Sequence, residues 1–137
     1  MNTILNEAQL MEGIHSVNPS IVPAENPYSR WDMESNKSII ELKSRRTHYN
    51  TLMIERAKWV ALRTEAKTSN KGAYYIVSTP EGIWMFNTEF EPEWEERYLP
   101  SHTDFRSHNK RKIVGFYHIN DGERVFQLEN FFNTQND

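Results

Sequence analysis

The sequence predicts an α/β fold in which helices flank a mixed β-sheet, and three observations support this prediction. Residues 73–77 form a nearly continuous apolar segment, which is typical of a central strand buried on both faces. A helix-like segment directly before it indicates a crossover connection. Residues 29–33 and 38–45 alternate in character and are joined by a polar turn, which predicts an antiparallel hairpin.

The first element along the chain is a helix predicted over residues 3–15. Ile4, Ala8 and Met11 recur there at helical spacing and define an apolar stripe. Glu7 falls inside this stripe. A carboxylate on an apolar face is costly unless a partner compensates it, so Glu7 is expected to have a salt-bridge, metal or water partner.

A second helix is predicted between the two regions of strand. It follows N-cap residues at positions 47–50 and runs to about Lys67, with Met53, Ala57 and Val60 on its apolar face. The strands at residues 73–77 and 83–86 come next, joined by the turn Thr79-Pro80-Glu81-Gly82.

The C-terminal part of the chain is predicted to be less regular. Residues 87–109 are rich in acidic residues and are expected to form a long excursion with a short helix around Trp94–Tyr98. A last strand is predicted over residues 112–119, followed by a turn. One domain over residues 1–137 is expected, with a frayed tail from about residue 133.

The composition excludes several classes of protein. The chain has no cysteine, which rules out disulfides, thiolate zinc sites and cysteine nucleophiles. No apolar stretch approaches membrane-spanning length, so no membrane association is expected. The N-terminus lacks a secretory pattern, and the expected compartment is the cytoplasm. The net charge of −3 counts against a protein that coats nucleic acid.

The strand predicted at residues 38–45 carries the most informative motif. Because side chains alternate across a strand, Glu41, Lys43 and Arg45 are expected on one face and Ile40 and Leu42 on the other. The strand is therefore expected to bury one apolar face and to present polar, potentially catalytic side chains on the other.

Asp32 is expected on the same face as Glu41 once the hairpin closes. Diagonal positions on paired strands are roughly 7–8 Å apart. Two carboxylates can therefore converge on one divalent ion, with bonds of about 2.1 Å from each oxygen. The expected buried side of the hairpin consists of Trp31, Met33, Ile40 and Leu42.

This arrangement resembles the PD-(D/E)xK nuclease superfamily, whose restriction-endonuclease-like fold includes Holliday-junction resolvases and phage nucleases. Asp32 matches the lone aspartate of that motif, and Glu41-Leu42-Lys43 matches its (D/E)xK element. Glu7 matches the acidic residue that members often carry on the first helix. Trp31 stands where a proline often precedes the aspartate. The resemblance spans residues 3–119, and the small format is most similar to resolvases and small phage nucleases.

The resemblance implies a Mg²⁺- or Mn²⁺-dependent endodeoxyribonuclease that hydrolyses phosphodiester bonds, with branched or structured DNA as its expected substrate. A homodimer is expected, because two symmetric cuts need two active sites. Lys43 is expected to orient the attacking water or to stabilise charge on the phosphate. The expected metal ligands are the side chains of Asp32, Glu41 and Glu7 and the backbone carbonyl of Ile40 or Leu42.

Basic residues outside the motif are expected to contact the DNA backbone. They form two groups in the sequence, one directly after the motif and one near the last strand. The predicted contacts are Arg45, Arg46 and His48 in the first group, and Arg106, Lys110, Arg111 and Lys112 in the second. Since no base-reading element is apparent, DNA shape is the expected basis of selection.

Two other interpretations remain open. The chain could be a non-catalytic module that keeps this fold and binds nucleic acid or a protein, with the acidic segment 89–96 as its contact. It could also be a small α+β structural or assembly protein in which the Glu-x-Lys triplet is an ordinary ion pair. Substituting Asp32, Glu41 or Lys43 would abolish function only if the chain is a nuclease.

Overall fold

The computed structural model describes residues 5–100 and 109–124. In this part of the chain, two helices and nine strands surround two apolar clusters. In chain order the elements are α1 (Glu7–Val17), β1 (Val22–Pro23), β2 (Met33–Glu34), β3 (Ser38–Ser44), β4 (Thr51–Glu55), α2 (Arg56–Ser69), β5 (Gly72–Thr79), β6 (Gly82–Asn87), β7 (Glu93–Pro100), β8 (Asn109–His118), a 3₁₀ helix (Ile119–Asp121) and β9 (Glu123–Arg124).

The strands form two sheets. The main sheet has six strands in the order β1-β2-β3-β5-β6-β9, and only the β3–β5 pair is parallel. The second sheet is antiparallel, with the order β4-β8-β7. The predicted mixed central sheet with flanking helices is therefore confirmed, and the predicted hairpin corresponds to β2 and β3. No helix among the described residues is long and apolar enough to cross a membrane.

The main sheet carries one apolar cluster on each face. The cluster shared with α1 contains Leu10, Ile14, Ile21, Met33, Ile40, Leu42, Ile76 and Met85. The cluster shared with α2 and the second sheet contains Ile39, Leu52, Ile54, Leu62, Ala66, Ala73, Tyr75, Val77, Trp84, Phe86 and Tyr117. Burial on both faces explains why the central strand β5 is almost continuously apolar, as predicted.

β3 lies between β2 and β5 in the main sheet, and both of its faces are buried rather than one. Ile39, Ile40, Glu41 and Leu42 are all buried, so the face that carries Glu41 is covered. The expectation of one buried and one open face was wrong here. Trp31 was also expected beside Met33 and Leu42, but it packs against the cluster shared with α2.

The first helix begins later than predicted. Asn6 caps α1 in a capping box with Gln9, and the buried residues of this helix are Leu10 and Ile14. Glu7 is exposed in the first turn. The expectation that Glu7 lies on an apolar face was therefore wrong, because the cap shifts the helix and its buried face.

The second helix is shorter than predicted, because residues 51–55 form the strand β4. Leu52 and Ile54 point inward, and the strand pairs with β8. α2 begins at Arg56 and buries Leu62 and Ala66, whereas the predicted stripe residues Ala57 and Val60 are exposed. A strand partner that is distant in sequence overrides the local helical pattern here.

The helix predicted around Trp94–Tyr98 is also wrong. These residues belong to β7, which pairs with β8 along its length. Gly115 of β8 permits this pairing, because a Cβ atom there would lie 2.3 Å from Cγ of Pro92 and 2.8 Å from Cζ3 of Trp94. The predicted turn after β8 is a 3₁₀ helix. The predicted tail and residues 101–108 lie outside the described residues.

Replacing Ile76 with alanine is expected to destabilise the protein strongly. Ile76 is fully buried on the central strand β5, and such a deletion typically costs about 2–5 kcal/mol of unfolding free energy. The matched control is Ile113→Ala on β8, where the side chain is 41% exposed. Urea denaturation measures both variants, and equal losses of stability would contradict this description of the core.

Candidate active site

The site is centred on the carboxylate of Glu41. This residue is on the interior strand β3 with only 3% of its surface exposed. Nζ of Lys58 donates a hydrogen bond to its Oε2 at 2.7 Å and forms an ion pair with it. Lys58 is in the first turn of α2, which begins directly after β4. The chain connection from β4 into α2 thus places a cation over the buried carboxylate.

The surroundings shift the pKa of both partners. Burial raises the pKa of Glu41 to about 7, the hydrogen bond from Lys58 opposes this shift, and the charge of Asp32 adds to it. Partial burial lowers the pKa of Lys58, but the hydrogen bond and charge of Glu41 outweigh that effect and raise it overall. A carboxylate of this kind is poised to exchange a proton or a cation near neutral pH.

Asp32 lies beside Glu41, just before β2. Its backbone amide donates to the carbonyl of Ile40 at 2.9 Å, and its Oδ2 accepts a hydrogen bond from the amide of Leu42 at 2.7 Å. These two bonds orient the Asp32 side chain towards β3. Asp32, Glu41 and Lys58 line one cleft of about 340 Å³, together with Arg30.

Lys43 lies in a different cleft from Asp32. It is half-buried two residues after Glu41 on β3 and lines a second cleft of about 290 Å³. Glu41 and Lys58 line this cleft as well, and Glu55 forms a further part of its wall. The Glu41–Lys58 pair therefore borders two clefts, one containing Asp32 and the other Lys43.

Two predicted DNA contacts, Arg45 and Lys112, also line the cleft of Lys43. Nη2 of Arg45 donates to the carbonyl of Met53 at 3.1 Å, and Nζ of Lys112 donates to Oε1 of Glu55 at 3.0 Å. Arg45 of the first basic group and Lys112 of the second therefore line the same cleft. They give one wall of this cleft a positive charge.

The other predicted DNA contacts are not part of this wall. Arg46 is exposed beyond β3, and Arg111 pairs with Glu96 of β7. Nδ1 of His48 is 2.9 Å from Oγ1 of Thr79, and its ring centroid is 4.9 Å from that of Trp84. Arg106 and the side chain of Lys110 lie outside the described residues.

The structure does not bring Glu7 into a shared cluster of ligands. Glu7 is exposed on α1, and its charge is a minor cause of the raised pKa of Glu41. Within residues 5–100 and 109–124, no three His, Cys, Asp or Glu side chains are grouped so that they could hold a metal ion. Metal binding by Glu7, or by the carbonyl of Ile40 or Leu42, remains a prediction; the Ile40 carbonyl accepts the Asp32 amide.

Lys58 and Glu55 are two site residues that the sequence prediction missed. Both follow from the boundary between β4 and α2, which was predicted to lie within one helix. The alternation of residues 51–55, with Leu52 and Ile54 inward, was the available signal.

The donor set around Glu41 fits a divalent metal ion. Carboxylate oxygens are the ligands preferred by Mg²⁺ and Mn²⁺. The ammonium of Lys58, 2.7 Å from Oε2 of Glu41, shows that this carboxylate already binds a positive charge. The site therefore contains the neighbouring carboxylates of Asp32 and Glu41, with the ammonium of Lys58 bound to Glu41. Lys43 follows Glu41 two residues later on β3.

The fold is shared with a protein of known activity. A structure described as Hjc, a Holliday junction resolvase from the archaeal hyperthermophile Archaeoglobus fulgidus, is similar to this chain with a TM-score of 0.57 at 13% sequence identity. The similarity covers 90% of this chain and 92% of that one. The predicted restriction-endonuclease-like fold is thereby confirmed. No protein-family model matches the sequence, and no curated protein matches it significantly.

Replacing Glu41 with glutamine is expected to stabilise the protein at pH 8 but not at pH 5. The pKa of Glu41 rises from 4.5 to about 7 on folding, so its contribution to stability declines as the pH increases through this interval. At pH 8 the neutral amide avoids a cost on the order of 1–3 kcal/mol, whereas at pH 5 the native carboxyl is already protonated.

Thermal unfolding at both pH values measures this difference. The control is Glu25→Gln, which removes an exposed carboxylate and is expected to leave the unfolding temperature nearly unchanged at either pH. If Glu41→Gln changed stability equally at pH 5 and pH 8, the raised pKa of the buried carboxyl would be wrong.

Proposed function

We propose that this protein is a Mg²⁺- or Mn²⁺-dependent endodeoxyribonuclease that hydrolyses phosphodiester bonds in branched or structured DNA. The observation that carries the proposal is the buried carboxylate of Glu41, held by a cation and placed between Asp32 and Lys43. The similarity in fold to a Holliday junction resolvase supports the same reaction class.

Asp32 and Glu41 hold the metal in this proposal, because they are adjacent carboxylates lining one cleft. The amide of Leu42 keeps the Asp32 side chain oriented towards β3. A bound metal supplies positive charge near the scissile phosphate and lowers the pKa of a coordinated water. Glu7, exposed at the start of α1, is proposed to complete the metal shell directly or through water.

Lys43 has the role of orienting the attacking water or stabilising negative charge on the phosphate. Lys43 lines the same cleft as Glu41, and the strand pairing of β3 with β5 fixes its backbone opposite Val77. A side chain on a rigid interior strand keeps its position during a reaction better than one on a loop.

DNA is the proposed partner, and Arg45 and Lys112 provide phosphate contacts along the cleft of Lys43. Arg30 extends the positive charge into the cleft of Asp32. Such contacts neutralise phosphates without reading base sequence, which suits recognition of DNA by its shape. A homodimer is proposed because two coordinated cuts across a junction need two such sites.

A non-catalytic DNA-binding module is the second candidate. One observation favours it, namely that no three acidic or histidine side chains are grouped as metal ligands in residues 5–100 and 109–124. This candidate predicts that DNA binding is independent of Mg²⁺ and that substitution of Asp32 or Glu41 leaves affinity intact.

Cleavage of labelled DNA distinguishes the two candidates. Four-way-junction, linear duplex and single-stranded DNA are each incubated with the protein and with Mg²⁺ or Mn²⁺. The wild-type chain is expected to cut the junction. Lys43→Ala is expected to cut about a hundredfold more slowly or worse, because the charge facing the developing oxyanion is lost.

Lys67→Ala is the matched control, because Lys67 is an exposed lysine in the last turn of α2 and is expected to leave the rate unchanged. DNA binding by both variants is measured by a mobility shift. Absence of cleavage of all three substrates with either metal, together with retained binding, would replace the nuclease by the binding module.

A further inference from the structure

The ion pair between Lys58 and Glu41 borders both clefts of the site. The cleft of about 340 Å³ contains Asp32, and the cleft of about 290 Å³ contains Lys43. Both are lined by Glu41 and Lys58, whose charged atoms are 2.7 Å apart. Asp32, the proposed metal ligand, and Lys43, which is proposed to act on the attacking water or the phosphate, therefore lie in different clefts that share the Lys58–Glu41 pair.

The two partners differ in their freedom to move. The Glu41 side chain is 4% exposed and belongs to an interior strand, whereas the Lys58 side chain is 47% exposed and reaches the site from the first turn of α2. A lysine has a flexible four-carbon stem, and its ammonium is a compact point charge. If the pair opens, the cation is the group that moves.

A destination for the Lys58 ammonium is present in the cleft of Lys43. The charge of Glu55 attracts Lys58, and Glu55 lines that cleft and also binds Lys112. Released from Glu41, Lys58 would remain near Glu55 while adding a positive charge to a wall that already contains Lys43 and Lys112. Three ammonium groups around one cleft suit a phosphate diester.

We propose that Lys58 is a displaceable internal cation, replaced on Glu41 by the divalent metal and transferred to the DNA phosphate in the cleft of Lys43. This inference rests on the proposed function, because it needs a metal at Asp32 and Glu41. It assigns Lys58 two successive partners: the carboxylate of Glu41 before the metal binds and a phosphate afterwards. Metal binding thereby joins the two clefts into one site.

A fixed structural ion pair is the competing description of Lys58. In that case the ammonium stays on Glu41 whether or not a metal is added, and its surroundings do not change. The side-chain amine of Lys58 therefore reports directly on the exchange, independently of catalysis.

Pulsed acetylation followed by peptide mass spectrometry measures the reactivity of Lys58 in the full-length protein. The experiment uses Mn²⁺ alone, without DNA, and Mn²⁺ binding is followed in the same samples by electron paramagnetic resonance. Lys58 is expected to react faster when Mn²⁺ is bound. The increase should be on the order of tenfold, the factor corresponding to loss of one charge-assisted hydrogen bond.

Two controls accompany the measurement. Lys67, exposed on the same helix, is expected to react at one rate with and without Mn²⁺. In Glu41→Gln, Lys58 is expected to react rapidly without metal, and Mn²⁺ should have no further effect. The wild-type comparison with and without Mn²⁺ decides the question by itself.

The outcomes separate the inference from the proposed function. If Mn²⁺ binds and Lys58 reacts at an unchanged or lower rate, displacement is wrong, whereas the metal binding that the proposed function requires is retained. If no Mn²⁺ binds, both the metal-dependent function and the displacement are overturned. Faster labelling of Lys58 together with Mn²⁺ binding supports both.

Discussion

The burial of a carboxylate on an interior strand is the constraint on which the rest of the site depends. Glu41 cannot be left ionised between β2 and β5 without a cation, because an unpaired buried charge is strongly destabilising. Lys58 meets this need from α2, so the crossover that makes β3 and β5 parallel also delivers the counter-ion. The ion pair between Glu41 and Lys58 is therefore part of both the fold and the site.

The second sheet gives the site its outer wall. β4 ends at Glu55 and β8 carries Lys112, and their side chains bind each other beside the cleft of Lys43. Because β4 pairs with β8, Arg45 and Lys112, which are far apart in sequence, line one cleft. The site thus combines residues of an interior strand, a helix and a separate antiparallel sheet.

The sequence was most informative where the pattern is local. The alternation around Glu41 and the apolar segment of β5 identified the hairpin, the central strand and the fold class. β4 and β7 were missed, because each owes its strand conformation to β8, a partner distant in sequence. Lys58 was missed for the same reason: the predicted helix hid the β4–α2 boundary, and no local pattern links this lysine to Glu41.

The most direct test of the account is a crystal structure of the protein with Mn²⁺, with the ion located by anomalous scattering. The account predicts one peak in the cleft of Asp32, within bonding distance of the carboxylates of Asp32 and Glu41, and the ammonium of Lys58 moved away from Glu41 towards Glu55. A structure without a peak at these carboxylates, with Lys58 still bound to Glu41, would contradict it.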